Sequence, residues 1–240
     1  MKIKLNIDLN TFYIVQLTIV TLIVILGLSS YIFSYMTGHN SLLGFLRLLD
    51  VGSEQSIPTY FSLLNIFLSS ILIFIIYWYE KVNNHKGFKY WLFLSILFLL
   101  LSIDEGASIH EIFGKVHIYL IEHGLAPALL GTANWLPFGV LFVLIVGIIL
   151  LPFFKLLSRD TLYYFLFSGS VFIIGAIGFE FAGTVMVATG FVDSKTDLIY
   201  LIRRIFEEGF EMYGIAIFNY ALYREIVKRK ISLTISSSSL

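Results

Sequence analysis

The sequence predicts an all-α integral membrane protein: a polytopic bundle of about six transmembrane helices with both termini in the cytoplasm. Three observations predict it. The first is composition. Of 240 residues, 58% are hydrophobic and only 13% charged, and mean hydropathy is +0.88, whereas a soluble domain carries about 25% charged residues. A folded chain of this length has too much surface to hide so much apolar area from water, so lipid must solvate much of it. The second is run length: six stretches approach the roughly 20 apolar residues that cross a hydrocarbon core. The third is an alternation of Lys and Arg between successive connections.

The first span is Phe12–Tyr35. Lys2 and Lys4 precede it in the manner of a signal peptide, but the run is too long and no small-residue cleavage site follows. The connection after it, 39–56, contains an amphipathic piece, Leu42–Leu49. Ser56 and Pro58 supply a capping hydroxyl and a first-turn proline, so the second span is Thr59–Tyr79. A short basic link, 80–89, leads to the third, Tyr90–Glu111. The long apolar connection 115–134 lies along the membrane surface. Trp135–Leu157, Leu162–Thr189 and Leu198–Tyr223 complete the set. Residues 1–230 form one domain without an internal repeat, and 231–240, with a run of four serines, is a disordered polar tail.

Eleven of the sixteen basic residues fall in the N-terminus, the second and fourth links and the C-terminal segment; Arg47, Lys115, Lys195, Arg203 and Arg204 fall opposite. The first set marks the cytoplasmic side of a cell (inner) membrane. Trp78, Tyr90, Tyr163 and Tyr223 at one level, with Trp135 and Tyr200 at the other, match aromatic belts.

The charge balance of 16 basic to 16 acidic residues gives no reason to expect nucleic acid as a partner. Absence of cysteine excludes disulfides, thiolate metal sites and cysteine nucleophiles. No HExxH pair, paired ExxH signature, GxSxG elbow or Gly-rich phosphate loop is present.

The intramembrane charges are grouped. The third span ends in Asp104, Glu105, His110 and Glu111; the fifth holds Glu180; the sixth begins with Arg203, Arg204, Glu207, Glu208 and Glu211. All lie in the outer halves of their helices, and Glu54 sits outside the second span on the same side. On a continuous helix Asp104, Ser108 and Glu111 share a stripe. Ala176, Gly183 and Thr184 flank Glu180, and Gly175, Gly178 and Ala182 form a second small-residue stripe, which predicts that the fifth helix is central. Seven carboxyls cannot be neutralised by two arginines. The excess must be protonated, hydrated or bound to cations. Carboxylates with one imidazole suit a divalent metal ion.

Blander readings accompany each residue. Glu105, Glu111 and Glu207 fit an aqueous boundary, an arginine of the 203–204 pair fits a snorkelling anchor, and His110 alone fits a hydrogen-bonded packing role. His117 and His123 fit solvated loop positions.

Three stretches carry a resemblance: Glu54-Gln-Ser-Ile-Pro58-Thr-Tyr-Phe-Ser62, Ser102-Ile-Asp104-Glu105 with His110-Glu111, and Glu207-Glu208-Gly-Phe-Glu211-Met-Tyr-Gly214. Together they resemble a group of uncharacterised bacterial multi-pass membrane proteins. The resemblance implies a bacterial six-span bundle whose acidic stretches belong together, and no activity.

These features point to an acidic site near the outer face of a metal-dependent enzyme acting on a lipid or lipid-linked substrate. His110 and Asp104 are its expected catalytic residues. Asp104, His110, Glu111, Glu180, Glu207 and Glu211 are its expected ligands to a divalent metal ion, and the lipid bilayer is its expected partner. Two other readings stay open: a non-catalytic membrane subunit whose polar cluster fixes helix packing, and a cation- or proton-coupled transporter. Inner halves that read as almost wholly apolar count against transport.

Overall fold

The computed structural model describes residues 2–4, 8–39, 41–129, 134–231 and 234–236. The elements in order are β1 (Lys2–Lys4), α1 (Leu9–Thr37), a 3-10 turn (Leu42–Gly44), α2 (Phe45–Leu49), α3 (Ile57–Val82), α4 (Phe88–Ala107) and α5 (Ile109–Glu122). After these come α6 (Leu136–Phe154), α7 (Arg159–Ile173), a π-helical turn (Ile174–Phe179), α8 (Glu180–Ala188), α9 (Leu198–Lys228) and β2 (Thr234–Ser236).

Local chemistry sets the boundaries. Asp8, Ser56 and Ser158 accept from the backbone N–H three residues on at the starts of α1, α3 and α7, satisfying a donor that has no intrahelical partner. Gly38, at φ 68°, closes α1 in the left-handed conformation that glycine adopts without a Cβ clash. Asp197 precedes α9, and its carboxylate accepts from Asp193 N–H at 2.7 Å and Ser194 N–H at 3.1 Å.

Five of these helical segments are long and apolar enough to cross a membrane: α1, α3, α4, α6 and the continuous Arg159–Ala188. They remain exposed along apolar faces (Ile14 is 60% exposed, Leu64 62% and Ile148 67%), which is stable only against a lipid-like solvent. α9 runs alongside them for 31 residues, but its charges exclude it on composition. The expected count of six crossings and the orientation of the termini therefore go beyond the five apolar helices. The bundle is all-helical apart from β1 and β2, which pair antiparallel, Lys2 with Ser236 and Lys4 with Thr234. The rest of the expected disordered tail, 232–233 and 237–240, lies outside the described residues.

Two expectations are corrected here. The fifth helix is not central: α9 packs against α1, α3, α7, the π turn and α8 and buries residues along its whole length, from Tyr200 to Ile226. And the third span is not continuous to Glu111. α4 stops at Ala107 and Ser108 takes φ 48°, ψ 42°, because the Asp104 carboxylate accepts the His110 N–H at 2.7 Å and competes with helix continuation. The shared stripe of Asp104, Ser108 and Glu111 is lost, and Glu111 is exposed on α5.

α3 and α4 approach closely through small residues. Ser70 donates to the Ser95 carbonyl at 2.8 Å and Ser95 to the Ser70 carbonyl at 3.1 Å; Ser102 donates to the Leu63 carbonyl at 2.9 Å. An apolar core of Trp91, Phe153, Phe165, Phe218 and Leu222, mostly aromatic, lies toward the end where α9 finishes.

That end carries an ion network absent from the sequence reading. Arg229 donates to Glu80 at 2.8 Å and pairs with Glu225. Thr161 donates to Glu225 at 2.5 Å, and Lys228 lies 3.1 Å from the same carboxylate. Arg224 pairs with Asp160 at 3.2 Å. Glu80 and Glu225 are both buried. We call this the basic end and the opposite one the acid-rich end.

Candidate functional site

The acid-rich end is organised by the π turn. Gly175 and Gly183 both face α9: a Cβ on Gly175 would meet the Glu207 carbonyl and Glu211 Cγ at 2.8 Å, and one on Gly183 would meet the Arg203 guanidinium carbon at 2.8 Å. Eight residues apart on a uniform α-helix, they would point about 80° apart. The π turn absorbs one residue and returns both to the same face. The backbones of the fifth helix and α9 meet there, and Glu180 is turned toward α9.

Glu180 and Glu207 converge on Arg203. The guanidinium lies 2.8 Å from Glu207, 3.5 Å from Glu180 and donates to the Phe179 carbonyl at 2.8 Å. It also stacks over Tyr200, 4.6 Å from the ring centre. Arg203 is 4% exposed, so it is not a snorkelling anchor. Its Nε is left without a hydrogen-bond partner, and a buried ion pair of this kind specifies packing more than it adds stability.

Arg204 turns the other way. Its guanidinium lies over Gly52, where a Cβ would sit 2.5 Å from Nε. Its electrostatic neighbours include Asp50 and Tyr31, which are hydrogen-bonded to each other.

Asp104 and His110 form a local pair. Besides capping the His110 N–H, Asp104 lies 3.1 Å from His110 Nδ1, and the ring meets Trp135 edge-on at 5.2 Å. α5 lies outside the apolar spans. Burial pushes the imidazole down, but the Asp104 hydrogen bond and the charges of Asp104, Glu105 and Glu111 outweigh it and hold His110 above its ordinary value.

His117, expected in solvent, is 3% exposed. Nδ1 lies 2.9 Å from the Asn134 carbonyl and Nε2 3.1 Å from that of Pro127, so the ring ties α5 to the segment leading into α6. His123 is exposed, as expected.

The remaining acids are Glu105, Glu208 and Glu211. Glu105 and Glu211 line a narrow crevice, with room for no more than about one water-sized group, together with Ser62, Asn65, Phe172 and Met212. Glu208 lies within electrostatic range of both. Arg203 is engaged by Glu180 and Glu207, and among the described residues Glu105, Glu208 and Glu211 make no ion pair, although His110 lies within electrostatic range of Glu105 and the two arginines within range of Glu208.

Below the crevice a polar string continues. Asn219 donates to the Asn65 carbonyl at 3.1 Å and to Asn65 Oδ1 at 2.8 Å, and Ser69 donates to Asn219 Oδ1 at 2.7 Å. All three are buried. The string reaches the middle of α3 and, at Asn219, the half of α9 nearer the basic end, an exception within a segment otherwise rich in apolar residues. Ser62, Asn65 and Ser69 recur at helical spacing on one face of α3, a legible signal passed over because uncharged residues in an apolar run look like packing.

Among the described residues no three His, Asp or Glu side chains are grouped so as to hold a metal ion. The expected ligand set is divided: Asp104 with His110 at the α4–α5 turn, Glu180 with Glu207 on Arg203, Glu211 at the crevice and Glu111 in the open. Glu54 is exposed and joins none of them.

A family model described as a domain of unknown function, DUF8692, matches residues 16–225. No curated protein and no solved structure matches the chain.

Proposed function

We propose, for a chain that belongs to the DUF8692 family of domains of unknown function, that it is a cation- or proton-coupled membrane transporter whose coupling site is the carboxyl group of Glu105, Glu208 and Glu211. One observation carries this reading: Glu105, Glu208 and Glu211 lie within electrostatic range of one another inside a lipid-solvated bundle and none of them makes an ion pair among the described residues, while Arg203 is taken by Glu180 and Glu207. Carboxyls in that setting are costly unless they take up protons or cations, and exchanging them is what a coupling site does.

The polar string supports the same reading. Ser62, Asn65, Asn219 and Ser69 extend from the crevice into the bundle. Beyond it Ile73, Ile76, Phe153 and Leu222 pack in a buried apolar cluster, and the ion network of the basic end follows. A polar string that ends on an apolar plug fits a closed state of an alternating-access cycle. In this reading α9 is the sixth crossing, its charges turned into the bundle, and both termini are cytoplasmic in a cell membrane. A divalent-metal enzyme would need three or more ligands together, and the expected ones are split among three groupings and open solvent.

The test is flux. Purified protein in liposomes, with an imposed membrane potential, should carry H⁺ or Na⁺ inward, read with a trapped pH dye and with ²²Na⁺. Glu211→Gln should abolish it while the protein remains folded. Wild-type flux no greater than that of empty liposomes for either ion would overturn the reading.

A further inference from the structure

The crevice itself says which ion it takes. Asn65 lines it and is 4% exposed. The orientation of its amide is set by neighbours: the Asn65 backbone carbonyl can only accept, so the group Asn219 presents to it at 3.1 Å is Nδ2. The same Nδ2 donates to the Asn65 side chain at 2.8 Å, which must therefore present Oδ1. Ser69 completes the assignment by donating to Asn219 Oδ1. Asn65 Nδ2 is left as the free branch, and it has no acceptor among the described residues. A buried donor without a partner costs about 1–3 kcal/mol, so the site calls for an acceptor there.

The crevice therefore brings together Asn65, whose Nδ2 is a donor without an acceptor, the carboxyl-bearing Glu105 and Glu211, and the Ser62 hydroxyl. A metal cation would be repelled by the amide N–H. A ligand that accepts from Nδ2 and donates to a carboxyl satisfies both sides, and the space admits little more than one water-sized group. We infer that this is a proton site: one water held by Asn65 Nδ2 and hydrogen-bonded to the Glu105–Glu211 pair, which takes up H⁺ and not Na⁺ or a divalent metal. Uptake converts a carboxylate of that pair to the acid, with the proton arriving through the water as H₃O⁺.

The charged groups around the pair are Asp104 and His110 beside Glu105, Glu207 and Glu208 on α9, and Glu180 on the fifth helix, with Arg203 and Arg204 near Glu208. α3 contributes Ser62, Asn65 and Ile66 to the crevice and no charged group. Asn65 is a positioning residue.

This inference rests on the transport reading for its purpose but is measured without flux. Infrared difference spectra of the purified protein between low and high pH should show a protonated-carboxyl C=O band. The band should be lost in Glu211→Gln and shifted in Asn65→Leu, while Asn65→Asp, which leaves an acceptor in place of the donor, should shift it the opposite way. Replacing choline by Na⁺ or Mn²⁺ should leave it unchanged. A band displaced by Na⁺ or Mn²⁺, or untouched by both Asn65 variants, overturns the proton site even if liposomes show flux. A band behaving as stated in protein without flux overturns transport alone.

Discussion

At the basic end Glu80 and Glu225 meet Arg229 and Lys228, and Asp160 meets Arg224. Every buried carboxylate there has a cation in contact. At the acid-rich end Arg203 takes Glu180 and Glu207, and among the described residues Glu105, Glu208 and Glu211 have no cation in contact, only His110 and the arginines at longer range. Both ends bury acids in a lipid-solvated bundle, so burial alone does not separate lock from site. What separates them is the local count of bases: a balanced network holds helices together, whereas an unbalanced one must exchange protons or cations with its surroundings.

That contrast can be broken most sharply at Arg229. Arg229→Met leaves Glu80 and Glu225 buried with one cation fewer and should destabilise the fold by about 3 kcal/mol, read as a lower midpoint in SDS titration. If the variant unfolds at the wild-type midpoint, the basic end is not a lock. The close approach at the π turn comes next. Gly175→Val would place a side chain against the Glu207–Glu211 backbone, with contacts at 2.8–2.9 Å before any shift. It should cost about 1–3 kcal/mol and, in the same liposome assay, lower flux by parting the fifth helix from α9.

Glu211→Gln probes the opposite side of the comparison. Removing a carboxyl from the unbalanced group should leave stability unchanged or raise it by about 1 kcal/mol while flux disappears. A loss of stability as large as that of Arg229→Met would place Glu211 in a packing network instead.

The smallest effect is expected at His110. Its folded value stands above the ordinary one of about 6.5. The contribution of its pair with Asp104 is therefore fully present below that ordinary value and is lost as pH rises through the folded value. Thermal midpoints of wild type and Asp104→Asn should differ most below pH about 6.5 and converge at alkaline pH. Both residues are partly exposed, so the difference is modest. A gap that widens with pH would reverse the assignment.

Much of this molecule was readable along the chain. The capping start at Ser56, the amphipathic Leu42–Leu49 piece, five apolar helices and the grouping of acids at one end follow from composition and periodicity. Other features were not readable, each for a definite reason. The break at Ser108 depends on one carboxylate reaching a backbone N–H six residues away, a competition that hydropathy does not register. The Glu80–Arg229 contact joins residues 149 apart, and each residue alone looks like an ordinary helix-end charge. Asn65 and Asn219, 154 apart, are unremarkable until they face each other.

The sequence by itself determined that the chain is solvated by lipid and that its acids outnumber its bases at one end. Both are sums over residues, and no arrangement of the fold can change a sum. Only the tertiary structure decided which acids are neutralised, because neutralisation falls off within a few ångströms. It is settled by whether the π turn brings Glu180 across to Arg203.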